Sequence, residues 1–328
     1  MKVLITGATG FLGQKLALRL HREGLQVTGT ARNKEIGKAL IAKGIHFEPA
    51  SLHDTDKIIA LCQNQDMVVH CGALSSPWGT YRQFYESNVI GTHNVIKGCQ
   101  QHGVKRLIHV STPSIYFRYQ DQFKIKEIDP LPAKKVNHYA ETKWQAEQAI
   151  DQAHIDGFPV ITIRPRALFG PGDQAILPRL LTANEKGMVP LINRGQAVID
   201  ITHVENVVDA LILCMYAPPH LLGEKYNITN GEPMKLINIL EGVFSLLDQP
   251  FQGRSFSFLP AYTIAACMEV LAKSLQKNKE PLLTRYTVGV LGKSQTLDIS
   301  KAQNELGYQP RISIQEGLAD FIRWWNIQ

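Results

Sequence analysis

The chain has 328 residues, of which 44% are hydrophobic and 20% are charged. This balance excludes a disordered, collagen-like or disulfide-stapled chain, and the length predicts two domains or one large α/β unit. The net charge of +6 comes without a long run of lysine and arginine, so it favours an anionic ligand and no nucleic acid.

The cysteines and the apolar stretches of the sequence limit the cellular compartment and the metal chemistry. Five cysteines are scattered without a CxxC pair, which predicts reduced thiols and no metal site. A strand pattern begins directly after Met1, so we expect no signal peptide. No apolar stretch is long enough to span a membrane, and we therefore expect a cytoplasmic protein.

The N-terminal segment has the pattern of a dinucleotide-binding unit. Residues 2–6 form an apolar, β-branched run typical of a buried strand. A glycine-rich turn, a helical leucine pattern and a second strand at residues 25–30 follow. A strand, a glycine turn and a helix in this order predict a βαβ unit that binds a pyrophosphate at the helix N-terminus.

The glycines of this turn have the spacing G-x-x-G-x-x-G, and each has a physical role. Gly7 permits the tight turn, Gly10 lets the backbone approach the phosphates, and Gly13 lets the helix pack closely on the strand. The cofactor contacts expected here are Gly7, Thr9, Gly10, Phe11, Leu12 and Gly13.

The residues after the second strand indicate which dinucleotide binds. NAD enzymes usually place a carboxylate there for the ribose hydroxyls, but this chain has Ala31, Arg32 and Asn33. Arg32 can donate two hydrogen bonds to a 2′-phosphate, so the sequence favours NADP, with NAD as the alternative.

Further strands alternate with helices along the N-terminal half. Residues 44–49, 66–71 and 105–111 have strand patterns, with helices between them, including one at residues 88–99. This alternation predicts an α/β fold with a Rossmann-type, doubly wound parallel sheet. Ligands bind at the carboxyl ends of such strands, which brings Gly72 and Ala73 to the cofactor.

We expect residues 1–165 to form the nucleotide-binding domain. Residues 166–328 would then form mainly a smaller substrate-binding lobe, with a segment at 224–229 returning to the sheet. No linker or repeat separates the two parts.

A tyrosine and a lysine lie four residues apart at the start of a predicted helix. Tyr139 and Lys143 therefore share one helix face. A lysine beside a phenol stabilises the phenolate, and such a tyrosine can exchange a proton with a carbonyl or alcohol oxygen. A hydroxyl from the end of the fifth strand, Thr112 or its neighbour Ser111, can bind the same oxygen.

Four motifs in order, TGATGFLG, VSTPSIY, YAETK and RPRALFGPGD, span much of the chain. With them the chain resembles the extended short-chain dehydrogenase/reductase family. The resemblance implies that Tyr139 is the acid/base, that Lys143 holds the nicotinamide ribose and that Thr112 orients the reacting oxygen. It also implies a structural and water-relay role for Asn88, and a position beside the nicotinamide for Pro165.

Two positions depart from the family pattern. Ser51 stands where many members have an aspartate near the adenine, which leaves Leu52 as the expected contact. Ile199 stands where nucleotide-sugar epimerases and dehydratases have an arginine that grips diphosphate, and an apolar side chain cannot do this.

Other segments resemble the 3β-hydroxysteroid dehydrogenase-like branch, which includes 2-alkyl-3-oxoalkanoate reductases. They are residues 70–79, the second arginine of R-P-R, and residues 281–286. The branch implies an oxidoreductase acting on a secondary alcohol or ketone of a bulky apolar substrate. The expected substrate contacts are Ser75, Ser114, Arg166 and His203. Arg166 could bind a substrate carboxylate or form a structural salt bridge, and His203 could line the pocket or merely pack.

Alternative interpretations remain at this stage. The chain could be a nucleotide-sugar epimerase or dehydratase that retains NAD, or a non-enzymatic dinucleotide-binding regulator. Residues 256–275 could be a core helix, a lid over a lipophilic substrate or a peripheral membrane contact. The resemblance also implies a homodimer formed through residues 87–102 and 139–154.

Overall fold

The computed structural model describes residues 1–275 and 280–327. The strands are β1 Lys2–Thr6, β2 Gln26–Ala31, β3 His46–Pro49, β4 Met67–His70, β5 Arg106–Val110, β6 Gln122–Ile125, β7 Val160–Pro165, β8 Leu168–Phe169, β9 Val189–Ile192, β10 Val198–Ile199, β11 Thr202–His203, β12 Lys225–Ile228, β13 Met234–Lys235, β14 Gly253–Phe256 and β15 Gln295–Leu297.

Helices cover both faces of the main sheet and build the C-terminal part. They are α1 Phe11–Arg22, α2 Lys34–Ile41, α3 Thr55–Leu61, α4 Tyr81–Phe84, α5 Gly91–Gln101, α6 His138–Ile155, α7 Leu177–Glu185, α8 Val204–Tyr216, α9 Leu236–Leu246, α10 Phe258–Leu275, α11 Arg285–Gly292, α12 Ser300–Leu306 and α13 Ile314–Trp325. A π-helical segment, Tyr85–Ile90, joins α4 to α5, and a 3₁₀ turn, Pro113–Tyr116, follows β5.

The main sheet has seven parallel strands in the order β12-β7-β5-β4-β1-β2-β3. The chain leaves β1 in one direction for β2 and β3, then crosses back to β4 on the other side. Thr6 at the end of β1 pairs with Thr30 on one neighbour and with His70 on the other. The fold confirms the predicted Rossmann-type doubly wound sheet, and ligands of such sheets bind where the strand order reverses.

Apolar side chains bury the sheet on both faces, as a parallel sheet requires. On one face β1 and β12 pack under α1 and α8, through residues such as Leu16 and Val207. On the other face α3, α5 and α6 cover the strands, through residues such as Val95 and Ile150. This double cover explains the near-continuous apolar runs in the strands.

The predicted strands appear with ends shifted by at most two residues. Pro165, expected beside the nicotinamide, is the last residue of β7. The helix expected at residues 88–99 starts as the π-helical segment Tyr85–Ile90 before α5 begins at Gly91. Asn88 lies within that π-helical segment, which has about one more residue per turn than an α-helix.

A smaller layer forms the C-terminal part. A four-stranded sheet, β13-β10-β15-β6, packs near α9 and α13. β12 returns from this half to the main sheet, whereas β6 comes from the first half and joins the small sheet beside β15. Segments therefore cross the predicted boundary at residue 165 in both directions.

Within residues 1–275 and 280–327, no helix combines the length and the apolar character needed to cross a bilayer. The helix α10 carries apolar residues on both its buried and its exposed side. Its inner side buries Ala261 and Ala265, while Leu259, Ile264 and Val270 are exposed on its outer side.

Candidate functional site

The glycine turn after β1 is as tight as the sequence indicates. Gly7 has a φ of +69°, and a Cβ there would lie 2.7 Å from the Cα of Gly72. A Cβ on Gly13 would lie 2.3 Å from the carbonyl oxygen of Gly7, which confirms why the helix start tolerates only glycine at this point. Gly10 caps α1 without a side-chain hydrogen bond, so the first amides of the helix remain available to an anion.

A cavity of about 260 Å³ opens in front of this helix N-terminus. It brings together seven of the residues predicted to bind the cofactor, in a donor set suited to a dinucleotide. Its lining is Gly7, Thr9, Gly10, Thr30, Ala31, Arg32, Asn33, Ala50, Ser51, Leu52, Cys71, Gly72, Ala73 and Ser87. The glycine cradle and the uncapped helix therefore fit a pyrophosphate.

The residues at the far end of this cavity differ in their roles. Arg32 is exposed at the end of β2 and lines both this cavity and an adjoining one of about 370 Å³. Asn33 is instead the N-cap of α2, where its side chain accepts the amides of Glu35 and Ile36. Only the arginine is therefore free of a structural task at this position.

Tyr139 lies at the start of α6, close enough to the hydroxyls of Ser75 and Thr112 for them to lower the pKa of its phenol by hydrogen bonding. Burial raises the pKa of its phenol, and these two hydrogen bonds partly oppose that increase. Thr112 follows β5 and caps the 3₁₀ turn, where its hydroxyl also accepts the amide of Ser114 at 3.2 Å. The structure therefore brings together three hydroxyls predicted from the sequence.

Lys143 is 2% exposed one helical turn after Tyr139. Its Nζ donates to the carbonyl oxygen of Val110 at 2.8 Å and lies 3.3 Å from the Nε2 of His109. Burial lowers the pKa of this lysine to about 8, and Glu147 and Cys71 raise it in part. The ammonium therefore contacts the end of β5.

A pair of buried histidines beneath Lys143 was not predicted. His70 and His109 occupy paired positions on β4 and β5, with ring centroids 5.4 Å apart. The two nitrogens of His70 lie 2.6 Å from the hydroxyl of Thr6 and 3.0 Å from that of Thr92. Burial lowers the pKa of His70 to about 3, and that of His109 also falls, so both rings are neutral. The sequence does carry a signal for this pair, because the predicted strands at residues 66–71 and 105–111 each have a histidine at the equivalent position.

Asn88 forms hydrogen bonds with the backbone near the site. Its Oδ1 accepts the amide of Leu74 at 2.7 Å, and its Nδ2 donates to the carbonyl of Leu74 and to the hydroxyl of Thr142. Both groups of the amide side chain are thus engaged. The arrangement matches the structural part of the expectation for this residue, because it fixes the loop that carries Ser75.

A larger cavity of about 820 Å³ includes Phe84 in its lining, and the ring of Phe84 lies 6.4 Å from that of Tyr139. Aromatic rings from both halves of the chain dominate its wall, with cations near its rim. The lining includes Trp78, Phe84, Phe117, Arg118, Tyr119, Lys134, Lys135, His138, Glu141, Tyr262, Glu269, Arg285 and Tyr286. Tyr262 and Glu269 belong to α10, which shows that this helix forms part of the cavity wall.

Sequence reasoning missed Tyr286, although it lies in the segment 281–286 that carried part of the resemblance. Its hydroxyl is 2.9 Å from the Oγ of Ser114, so the C-terminal part reaches the row of hydroxyls at the end of β5. The local sequence gave no indication of this contact, because 172 residues separate the two.

None of the four expected substrate contacts, Ser75, Ser114, Arg166 and His203, is in the lining of the large cavity, although Ser114 contacts Tyr286, which is. Arg166 is buried behind Tyr286, with its guanidinium bonded to the side-chain oxygen of Gln295. His203 packs edge-on against Phe169, at a ring-centroid distance of 5.5 Å, and is 1% exposed. Of its two expected roles, packing is the one that this position fits.

Ile199 is buried in the core of the C-terminal part, where β10 pairs with β13 and β15. Among residues 1–275 and 280–327, no group of three or more histidine, cysteine, aspartate or glutamate residues could hold a metal ion.

Comparisons with known proteins place the chain among dinucleotide enzymes. The model of the NAD dependent epimerase/dehydratase family matches residues 3–229. The chain is 34% identical to the 2-alkyl-3-oxoalkanoate reductase of Stenotrophomonas maltophilia, over 97% of each chain. It is 29% identical to the decarboxylating sterol-4-alpha-carboxylate 3-dehydrogenase of Mus musculus, over 97% of this chain and 89% of the mouse protein.

Solved structures agree on the fold. The UDP-glucuronic acid 4-epimerase of Bacillus cereus, in complex with NAD, superposes with a TM-score of 0.80 at 20% identity, covering 100% of this chain and 99% of the epimerase. At that identity the likeness concerns the fold alone. The names of the sequence relatives confirm the predicted class, an oxidoreductase of the 3β-hydroxysteroid dehydrogenase-like branch. The chain belongs to the NAD-dependent epimerase/dehydratase family, within the extended short-chain dehydrogenases/reductases.

Proposed function

We propose that this chain transfers hydride between a nicotinamide dinucleotide and the secondary alcohol or ketone of a bulky apolar substrate. The observation that carries the proposal is the position of Tyr139, Thr112 and Lys143 at the carboxyl edge of the sheet. There Tyr139 lies next to Phe84 of the aromatic cavity, with ring centroids 6.4 Å apart, and Lys143 lies close enough to Cys71 of the glycine-lined cavity to interact with it electrostatically. The relatives named as a reductase and a dehydrogenase support the same class of reaction.

The protein residues handle the proton and the orientation of the substrate. The bound nicotinamide supplies the hydride during reduction or accepts it during oxidation. Because burial raises the pKa of Tyr139, its phenol is protonated at neutral pH and donates its proton to the carbonyl oxygen as that oxygen gains charge. Thr112 and Ser75 bind the same oxygen, and Lys143 supports the developing negative charge.

We propose NADP as the preferred dinucleotide. Arg32 is an exposed cation at the wall of the cofactor cavity, and the chain carries no carboxylate at the end of β2. An arginine can bind a 2′-phosphate with two hydrogen bonds, whereas a carboxylate would repel it.

The substrate would be a carboxylic acid with a large apolar part. Both named relatives act on compounds in which one carbon separates the reacting carbon from a carboxylate, a 3-oxoalkanoate and a sterol 4-carboxylate. The aromatic wall of the large cavity suits an alkyl chain or a ring system.

Two further proposals concern assembly. The apolar residues on the outer side of α10 support a peripheral contact with a lipid surface, since the inner side of the same helix lines the substrate cavity. Sedimentation with anionic vesicles tests it, and equal sedimentation of Ile264→Ser and wild type would contradict it.

A homodimer through α5 and α6 stays a prediction, which light scattering after size exclusion would test.

The reaction is tested by nicotinamide turnover with NADPH and with NADH. The substrates are a long-chain 2-alkyl-3-oxo acid and a 3-ketosteroid, since they represent the two relatives. We expect turnover on at least one of them, faster with NADPH and lost in Tyr139→Phe. Silence on both, with NAD retained through purification, would instead favour an epimerase or dehydratase. Tyr139→Phe as active as wild type in cells would favour a non-enzymatic role.

A further inference from the structure

Arg166 is a buried cation that is hydrogen-bonded to a neutral group. The residue is 6% exposed, and in the described part of the chain its guanidinium donates to the side-chain oxygen of Gln295. Its Nε and the Nε2 of Gln295 have no hydrogen-bond partner there. Removing a guanidinium from water without a paired anion is unfavourable, and a bound anion would offset that cost.

The nearby carboxylate of Asp200 compensates this charge only in part. Asp200 lies close enough to raise the pKa of Arg166, which burial lowers. However, its Oδ2 already accepts the amide of Leu297 at 2.7 Å. In the described part of the chain the Nε of the guanidinium still has no hydrogen-bond partner, so part of its hydrogen-bonding capacity remains unused.

A row of hydroxyls connects this region with the catalytic tyrosine. Tyr139 bonds to Thr112, whose hydroxyl donates to that of Ser114 at 3.1 Å. The Oγ of Ser114 lies 2.9 Å from the hydroxyl of Tyr286, which lines the large cavity. Tyr286 is in turn close enough to Arg166 to affect its charge.

We propose that the hydroxyls of Ser114 and Tyr286 form a carboxylate subsite, with Arg166 as the positioning residue that supplies positive charge behind it. This inference rests on the proposed hydride transfer. Its ligand is the carboxylate of a 3-oxo or 3-hydroxy acid. One carbon separates that group from the reacting carbon, and one hydrogen bond separates Ser114 from Thr112. The acid can therefore bind at Ser114 and Tyr286 while Thr112 holds the reacting oxygen.

The subsite predicts a preference for acids over esters. We would measure oxidation of a 2-alkyl-3-hydroxy acid and of its methyl ester with NADP⁺, following the NADPH formed. In this direction the C3 hydride goes to the nicotinamide, and the hydroxyl proton goes to the phenolate form of Tyr139, which has first released its own proton to solvent. Wild type should favour the acid, because hydrogen bonds to a charged group are stronger than those to an ester.

The main variant is Tyr286→Phe, which removes one hydroxyl and keeps the ring. We expect KM for the acid to rise roughly tenfold or more with kcat nearly unchanged, because the carboxylate is bound equally in the ground and transition states. The ester should be unaffected, so the ratio of kcat/KM for acid over ester falls. Ser114→Ala should act in the same direction and provides an independent variant if Tyr286→Phe does not fold.

The matched control is Tyr308→Phe. Tyr308 is buried, and its hydroxyl also makes a 2.9 Å hydrogen bond, to the carbonyl of Thr229, outside the cavity. We expect it to leave the ratio of acid to ester unchanged. A similar fall in that ratio for the control would mean that a loosened fold, and not a lost subsite, causes the effect.

The outcomes separate the two proposals. A wild type that oxidises neither compound, and reduces neither corresponding ketone, would refute the hydride transfer itself. Turnover of acid and ester with equal efficiency would refute only the carboxylate subsite. Equal losses on both compounds in Tyr286→Phe and Ser114→Ala would refute it as well.

Discussion

Lys143 is placed where its charge costs stability, and its replacement provides a test of the site. Burial lowers the pKa of Lys143 from 10.5 to about 8, so the folded protein holds this proton more weakly than the unfolded chain does. At about pH 7 the lysine is charged in both states, and burying that charge costs about 3 kcal/mol. Lys143→Met fills a similar volume without a charge, so we expect a more stable and inactive protein.

The sign of the pH dependence follows from proton binding. Between the folded pKa of about 8 and the unfolded value of 10.5, the unfolded chain binds more protons at Lys143 than the folded protein does. The contribution of Lys143 to stability therefore improves as pH rises through this window. The advantage of Lys143→Met should fall from about 3 kcal/mol at about pH 7 to roughly 1.5 kcal/mol at about pH 9.5.

Urea denaturation of the cofactor-free protein at both pH values measures these differences. Wild type and variant need equal m-values for the comparison to report stability alone. Lower stability of Lys143→Met at both pH values would refute the reasoning. It would mean that the hydrogen bond from Nζ to the carbonyl of Val110 outweighs the cost of desolvation.

Three other substitutions test separate parts of the structure. Arg32→Ala should lower the ratio of kcat/KM for NADPH over NADH roughly tenfold or more, whereas Lys34→Ala, just beyond it, should not. Glu147→Gln leaves the buried guanidinium of Arg164 without its carboxylate and should destabilise the fold by about 3 kcal/mol or more in urea titrations. Gly13→Ala puts a Cβ 2.3 Å from a carbonyl of the glycine turn and should abolish dinucleotide binding measured by calorimetry.

The sequence was sufficient wherever local pattern determines structure. The glycine turn and the spacing of Tyr139 and Lys143 depend on residues within one turn or one helix. The buried parallel strands carry their own apolar runs. These features were therefore predicted correctly in type, with small errors at the ends of elements.

Features that depend on contacts between distant parts of the chain could not be predicted from local sequence patterns. β6 has a strand neighbour, β15, that lies far along the chain, and two of its own four residues are exposed. Tyr286 reaches Ser114 only because α11 folds back over the end of β5. Arg166 follows a strand that was correctly predicted, but the sequence does not show which side chains near its end face the cavity.

Three of the buried cations in this site region, Arg164, Lys143 and Arg166, differ in what balances their charges. Arg164 is 3% exposed and forms an ion pair with Glu147, so its charge is satisfied by the fold itself. Lys143 and Arg166 are equally buried but are hydrogen-bonded to neutral groups, a backbone carbonyl and Gln295. A fold selected only for stability would pair or remove such charges. Their retention beside the two cavities is explained if the negative charges of cofactor and substrate complete the site when they bind.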